Sequence, residues 1–457
     1  LEFSKTKSPA QAEHIFFYFA RSRNSIPMIL SRYLLPFFTL AFAWQTSFSQ
    51  GYVDDNRPQL IDKTYLPNIR TVQLRPSDLA QGLPIIRLNS ASRLKLDFDD
   101  MSLNFTNYGY TVVHCTHDWQ PSDLMKAEYL VGLQDYFIQE YEFSVNTYVP
   151  YMHYSVVIPN NNLQFTKSGN YVLVVFRNNN PEDIVLTRRF MVFEDRLRVT
   201  GEVTRATRLE ERDTHQQLNL TLTHTGYDIP NPFMDLHVNI MQNGRWDNAL
   251  INLKPKFIRN QQIEYNFDGE NTFLGGNEFR SFDTKQLTEL TMNIRKTELG
   301  TNFTAFLVPE IPRLATRYSF MVDINGRFVV RRLNSNKPES EADYAWMDFF
   351  LASDRYSEGD VYVFGMLSDW QIKPEFRLTY DEQTRAYRGK ILIKQGFYNY
   401  QYVVLEGATF SVNETLIEGS HWETSNEYTV FVYHREIGIR YDRLVGMQQF
   451  FDPTGMR

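Results

Sequence analysis

Gly169-Asn170-Tyr171-Val172-Leu173-Val174-Val175-Phe176-Arg177-Asn178-Asn179-Asn180 is the stretch that decides the fold. Six apolar residues in a row lie between turn formers, which is the length and composition of a strand and too short for a buried helix. Outward from it, Tyr398, Tyr400 and Tyr402 alternate with Asn399, Gln401 and Val403, the period of two of a pleated chain. Residues 428–433 form another aromatic, β-branched stretch, and Arg189-Phe190-Met191-Val192-Phe193 another. Helical signals are few: Ser122 can cap a turn or two towards Leu130 before Gly132 ends it. The aromatic share of 15% is dominated by 27 Tyr and 35 Phe, which pack well on a pleated surface. Many short strands punctuated by Asn, Gly and Pro predict an all-β protein of β-sandwiches rather than βαβ units.

The beginning of the chain reads differently. The first methionine is Met28, followed by Arg32, a mostly apolar run over 33–43, and small residues Ser47 and Ser49 ahead of Gln50. This is the layout of a secretory signal cleaved near Ser49 and Gln50, with residues 1–27 reading as translated upstream sequence. Residues 1–49 are therefore set aside as upstream extension and signal peptide. The apolar run is too short to span ~30 Å of hydrocarbon as a helix. No cysteine stands at the cleavage point, as a lipoprotein would require, and the expected location is the periplasm. Cys115 is the sole cysteine, so no internal disulfide can form and the domains must stand on packing.

The whole chain carries 47 Lys and Arg against 54 Asp and Glu, a net charge of −7. Without residues 1–50 the counts are 42 and 52. With no basic block, neither nucleic acid nor anionic lipid is an expected partner. The strand pattern divides into three consecutive sandwich domains, 64–195, 196–333 and 342–457. Between the last two, Asn334-Ser335-Asn336-Lys337-Pro338-Glu339-Ser340-Glu341 is charged and lacks an apolar anchor, the signature of a linker or hairpin tip.

Candidate chemistry is thin. Cys115 with His117 offers two metal ligands and His114 faces the other way on an alternating strand, whereas a closed zinc site needs four; no metal is expected. Ser420 and His421 suggest a nucleophile and base, but neighbours on an extended chain point to opposite faces. Gly275-Gly276-Asn277-Glu278 lacks the Lys-Ser/Thr of a phosphate loop, and its glycines instead suit positive φ in a tight turn. Glu278, Arg280 and Asp283 are expected to form a charge-assisted network on the following strand. No pair of carboxylates marks a hydrolase groove. The expectation is a protein without catalytic, cofactor or metal residues and without a small-molecule substrate.

Three signatures carry a resemblance. They are His114-Cys115-Thr116-His117-Asp118-Trp119-Gln120-Pro121-Ser122-Asp123-Leu124 with Glu128-Tyr129-Leu130-Val131-Gly132, then Gly275-Gly276-Asn277-Glu278-Phe279-Arg280-Ser281-Phe282-Asp283-Thr284, then Glu418-Gly419-Ser420-His421-Trp422-Glu423-Thr424-Ser425-Asn426-Glu427-Tyr428. In this order the chain, from about Leu66 to its C-terminus, resembles the plug proteins of the Bacteroidota type IX secretion system. The resemblance implies a non-enzymatic periplasmic gate that closes the periplasmic mouth of an outer-membrane translocon β-barrel while no cargo is exported. Gly275, Gly276, Asn277, Glu278, Arg280, Asp283, Gly419, Ser420, His421, Trp422, Glu423 and Asn426 are the candidates for partner binding or for bracing a domain boundary.

The last segment has a second resemblance. Val361-Tyr362-Val363-Phe364-Gly365-Met366-Leu367-Ser368-Asp369-Trp370 and Gly396-Phe397-Tyr398-Asn399-Tyr400-Gln401-Tyr402 are similar to the early-set, immunoglobulin-like domains of glycogen-binding modules. The alternative function is therefore a periplasmic glycan-binding module with Trp370 as its platform. Gln401 in place of a lysine, and Ala408-Thr409-Phe410 where a second Trp belongs, count against it.

Overall fold

The computed structural model describes residues 58–132, 136–266, 269–407 and 409–451. The expected signal segment and its cleavage point at Ser49 and Gln50 lie outside the described residues, as does Ala408. The protein is all-β, with three sandwich cores.

In the first sandwich, Gly169–Arg177 pairs antiparallel with Tyr108–Cys115 on one side and Asn180–Phe193 on the other. The opposing sheet runs Ile69–Pro76, Leu94–Asp100, Met152–Ile158, Glu140–Phe143. Tyr171, Leu173 and Val175 enter the core between these sheets together with Phe98, Tyr108, Tyr154 and Phe190. Val172 and Val174 point the other way, into a second apolar layer with Met241, Phe431, Tyr433 and Leu444. That explains the unbroken apolar run: the strand is buried on both faces, so no polar residue can alternate with the apolar ones.

The second sandwich supplies the other side of that layer. One of its sheets runs Arg245–Leu253, Leu236–Gln242, Glu427–His434, Arg443–Phe451. Tyr428, Val430 and Val432 face its own core, where Leu220, Ile240 and Ile263 meet them, while Phe431 and Tyr433 face the first sandwich. The third sandwich sets Arg280–Asp283, Phe328–Val330 and Gly359–Phe364 around Gly396–Glu406. Its second sheet runs Ile294–Leu299, Phe303–Leu307, Tyr344–Ala352, Ala386–Lys394, Thr379–Asp381.

These pairings correct the expected segments. The sandwiches are not consecutive after the first: Arg280–Asp283 through Phe328–Val330, expected in 196–333, belong to the third sandwich. Glu427–His434 and Arg443–Phe451, expected in 342–457, pair with Leu236–Gln242 of the second. The third sandwich is thus inserted between two parts of the second. Local pattern marks strands, whereas backbone pairing across ~190 residues of sequence is decided by which faces bury together. Residues 334–341 are also not a boundary. They hold a short turn of helix, Pro338–Glu341, with Ser340 buried and its carbonyl accepting the Val145 amide at 2.9 Å.

Candidate functional site

An inserted domain requires the chain to cross twice, and the two crossings are the two stretches singled out above. Residues 275–279 lead out of the second sandwich, and 419–426 lead back. They lie side by side. The Gly276 amide donates to Ser420 Oγ at 3.0 Å, and the Gly276 carbonyl accepts from the His421 amide and from Thr424 Oγ1, both at 2.8 Å. Asn426 Nδ2 donates to the Gly275 carbonyl at 2.8 Å, and Asn277 Nδ2 to the Glu418 carbonyl at 2.8 Å. Ser425 N–H donates to Glu278 Oε1 at 3.0 Å, and Tyr318 does so at 2.6 Å.

The glycines serve two needs. Gly276 sits at φ 65°, the left-handed turn that its sequence suggested. Gly275 lies outside the left-handed region and is needed for closeness instead: a Cβ there would collide with the His421 carbonyl oxygen. Gly419, at φ 76°, ends the short helix Thr415–Glu418 that precedes the return crossing.

Arg280 anchors the departing strand. Its Nε lies 2.9 Å and its Nη2 3.0 Å from Glu418 carboxylate oxygens, and Nη1 reaches Glu310 at 3.2 Å. Arg313 Nε meets the same Glu418 at 2.7 Å. Burial raises the pKa of Glu418, but the two guanidiniums outweigh it and the net shift is downwards. The expected network among Glu278, Arg280 and Asp283 does not form. Arg280 and Asp283 are an odd number apart on one strand and point to opposite faces. Asp283 instead holds Arg331 at 2.6 Å within the third sandwich, and Glu278 serves the return crossing.

His421 and Ser420 do not act as a pair. The Ser420 hydroxyl donates to the Thr214 carbonyl at 2.6 Å, and His421 Nε2 is buried without a hydrogen-bond partner. Burial lowers the His421 pKa, with the half-buried Glu423 pulling weakly the other way. The Trp422 amide donates to the Asp213 carbonyl at 3.1 Å, and the Arg205 guanidinium lies 5.2 Å from the centre of its ring. Asn426 also meets Gln216 at 2.9 Å and Asn243 at 2.7 Å, which ties the return crossing to the second sandwich.

The upstream His-Cys-Thr-His stretch divides three ways. His114 is buried among Tyr129, Tyr171 and Tyr441, one ring nitrogen 3.1 Å from the Ser168 carbonyl, and burial pushes its pKa down to about 4. Cys115 faces the apolar layer between sandwiches, where burial pushes its thiol up to about 12. His117 lies in the turn beyond the strand, with His237 and Asp442 of the second sandwich. One donor atom from each of the three falls within 4.8 Å of the others. The imidazoles are stacked, ring centres 3.8 Å apart and 9° between planes, so their lone pairs run parallel rather than converging on a point. Asp442 already receives His117 Nδ1 at 2.9 Å and Arg435 at 2.6 Å.

One polar cluster escaped the sequence altogether. At the contact of the first and third sandwiches, Lys394 Nζ is buried 2.6 Å from Asp99 Oδ2, and Tyr344 donates to the same oxygen at 2.7 Å. His153 bridges Asp99 Oδ1 at 2.8 Å and Asp97 Oδ1 at 3.3 Å. Burial alone would depress the His153 pKa, but the two carboxylates outweigh it and raise it. A cavity of about 310 Å³ lies beside the cluster, and the charged groups Arg75, Asp97, Asp99, His153 and Lys394 on its wall are paired with one another. The one legible hint is Lys95, Asp97 and Asp99 alternating with Leu94, Leu96 and Phe98; finding Lys394 required the tertiary contact.

Trp370 is not an open platform. The Arg245 guanidinium lies 4.6 Å from its ring centre, Phe279 and Phe364 pack against it, and Arg245 is itself held by Glu414 at 2.7 Å. Gln401 is buried and donates to the same Glu414 at 2.7 Å.

Residues 69–194, the first sandwich, match the family described as "Type 9 secretion system plug protein 1st domain". No curated protein matches the chain. Among solved structures, the crystal structure of a hypothetical protein from Parabacteroides merdae superposes with a TM-score of 0.83 at 30% identity, covering 87% of this chain and 100% of that one.

Proposed function

The chain belongs to the type 9 secretion system plug proteins, and from that premise we propose that it is a non-enzymatic periplasmic plug, closing the periplasmic opening of the outer-membrane translocon barrel when no cargo is exported. The match of the first sandwich to the plug family carries this reading. It places the protein in type IX secretion and associates it with a component of that translocon; the barrel itself as partner, and closure as the task, are the proposal.

The architecture suits such a task. A body that blocks a wide opening needs bulk and a fixed shape more than a reactive pocket. Four sheets stacked through three apolar layers supply bulk, and the double crossing ties the third sandwich at two adjacent strands instead of one linker. Such a joint resists the hinge motion that single-linker domains show by default. Among the described residues, no helix is long and apolar enough to cross a membrane.

Two measurements test the proposal. A tagged copy should co-purify with the detergent-extracted translocon barrel, and deletion should make the outer membrane of resting cells leaky to small solutes. Recovery of the protein free of the barrel under all extraction conditions, with an intact barrier in the deletion strain, would refute it.

A further inference from the structure

We infer that the contact between the first and second sandwiches carries a pH-sensitive clasp: the ring of His237, stacked on that of His117, holds the contact while it is neutral and loosens it when it is protonated. The inference is independent of the plug reading, because it concerns only how two parts of this chain are held together.

His117 belongs to the first sandwich, in the turn after Tyr108–Cys115. Its amide and its Nδ1 both meet Asp442 Oδ2, at 2.7 and 2.9 Å, and its carbonyl accepts from Asn239 Nδ2 at 2.7 Å. Asp442 and Asn239 lie on the second sandwich, so this turn is clasped by hydrogen bonds across the contact. His237 completes the clasp from Leu236–Gln242, its Nδ1 2.7 Å from Asn252 Oδ1 and its ring flat on His117. Most of the surrounding layer is apolar, as Val172, Met241 and Phe431 show, and has no charge to titrate.

The charged and titratable surroundings set the sign. Asp442 lies against His117, and Arg435 occupies its other oxygen. Lys254 adds positive charge near His237, Tyr433 has its ring 6.3 Å from that of His117, and His114 feels the Asp442 carboxylate from the first sandwich. The Asp442 carboxylate is already shared by His117 and Arg435. A proton on His237 therefore places a cation, with Lys254 as like charge nearby, in a partly buried setting where repulsion is weakly screened. Burial lowers the His237 pKa; the bond to Asn252 and the Asp442 carboxylate oppose that shift, His117 and Lys254 add to it, and the net direction is downwards. A histidine whose folded pKa lies below its unfolded value loses stability as pH falls from about 6.5 towards the folded value. Acidification thus loosens the first sandwich from the second while each keeps its own core.

Hydrogen–deuterium exchange on the whole purified protein at pH 7.5 and 5.5, corrected for intrinsic chemical exchange, tests this. The expected result is that residues 116–120 and 236–242 exchange severalfold faster at pH 5.5 than at pH 7.5. In His237→Phe, which keeps a stacked ring but cannot titrate, the two pH values should match. His237→Gln gives the same comparison while keeping a polar contact to Asn252, should the Phe variant not fold. Equal acceleration in wild type and both variants, or none in wild type, would overturn the clasp.

Discussion

The first sandwich has two outer faces, and its neighbours cover them in opposite ways. Against the second sandwich it turns Val172, Val174, Ile184 and Met191, forming an apolar layer with Met241, Phe431 and Leu444, edged by the His117 turn. Against the third it turns Gln73, which donates to the Phe328 carbonyl, and Asp99, which meets Lys394 and Tyr344, with His153 and Asp97 bracing Asp99 from within the first sandwich. Apolar burial adheres without direction, whereas buried ion pairs add little net stability but penalise every misalignment. The difference suggests a division of labour: the first contact binds the stack, and the second sets the angle at which the third sandwich stands. The double crossing reinforces that angle.

The largest effect should come from charging the apolar layer. Val174→Asp puts a carboxylate between two apolar sheets, and we expect a loss of about 4 kcal/mol or more in chemical denaturation, or no folded protein. A loss under about 1 kcal/mol would mean that this face is wet.

Removing one partner of the polar contact should come next. Lys394→Met strips Asp99 of its buried cation at a cost of roughly 3 kcal/mol, and adding Asp99→Asn should restore most of it, because pairing is the issue and not the cation itself. Calorimetric scans of the single and double variants check this; a double variant as weak as the single would contradict it.

The crossing separates two glycines. Gly275→Ala must push the return strand away from the His421 carbonyl, at about 2–3 kcal/mol. Gly276→Ala meets open space and suffers only its left-handed φ, about 1 kcal/mol. The order of the two unfolding midpoints is the readout.

The smallest effect is in pH. His153 has a raised folded pKa, so its contribution is fully present below the unfolded value of about 6.5 and is lost as pH rises through the folded one. His153→Gln should therefore flatten the stability profile on the alkaline side of pH 6.5. The clasp histidine has the opposite sign and acts on the acid side, so one titration distinguishes the two contacts.

Particular residues show how far the sequence could be read. The strand at 171–176 was legible because its apolar run has the right length and clear ends, although the run does not tell which neighbour covers the second face. The stretches around Gly275 and Ser420 stand out by their composition, which suits bracing a domain boundary or binding a partner. Their adjacency was not legible, since nothing local to either names the other. The Asp97, Asp99 and His153 cluster was hidden for the same reason, because its cation lies almost 300 residues away.

By itself the sequence determined that this protein is a set of β-sandwiches without disulfides, since strand period, turn residues and a lone cysteine are local properties. Only the tertiary structure decided that the third sandwich is inserted into the second, and which charges share an interface. Both depend on backbone hydrogen bonds and buried faces contributed by distant segments, and a strand's own side-chain pattern specifies that it must be covered without specifying by what.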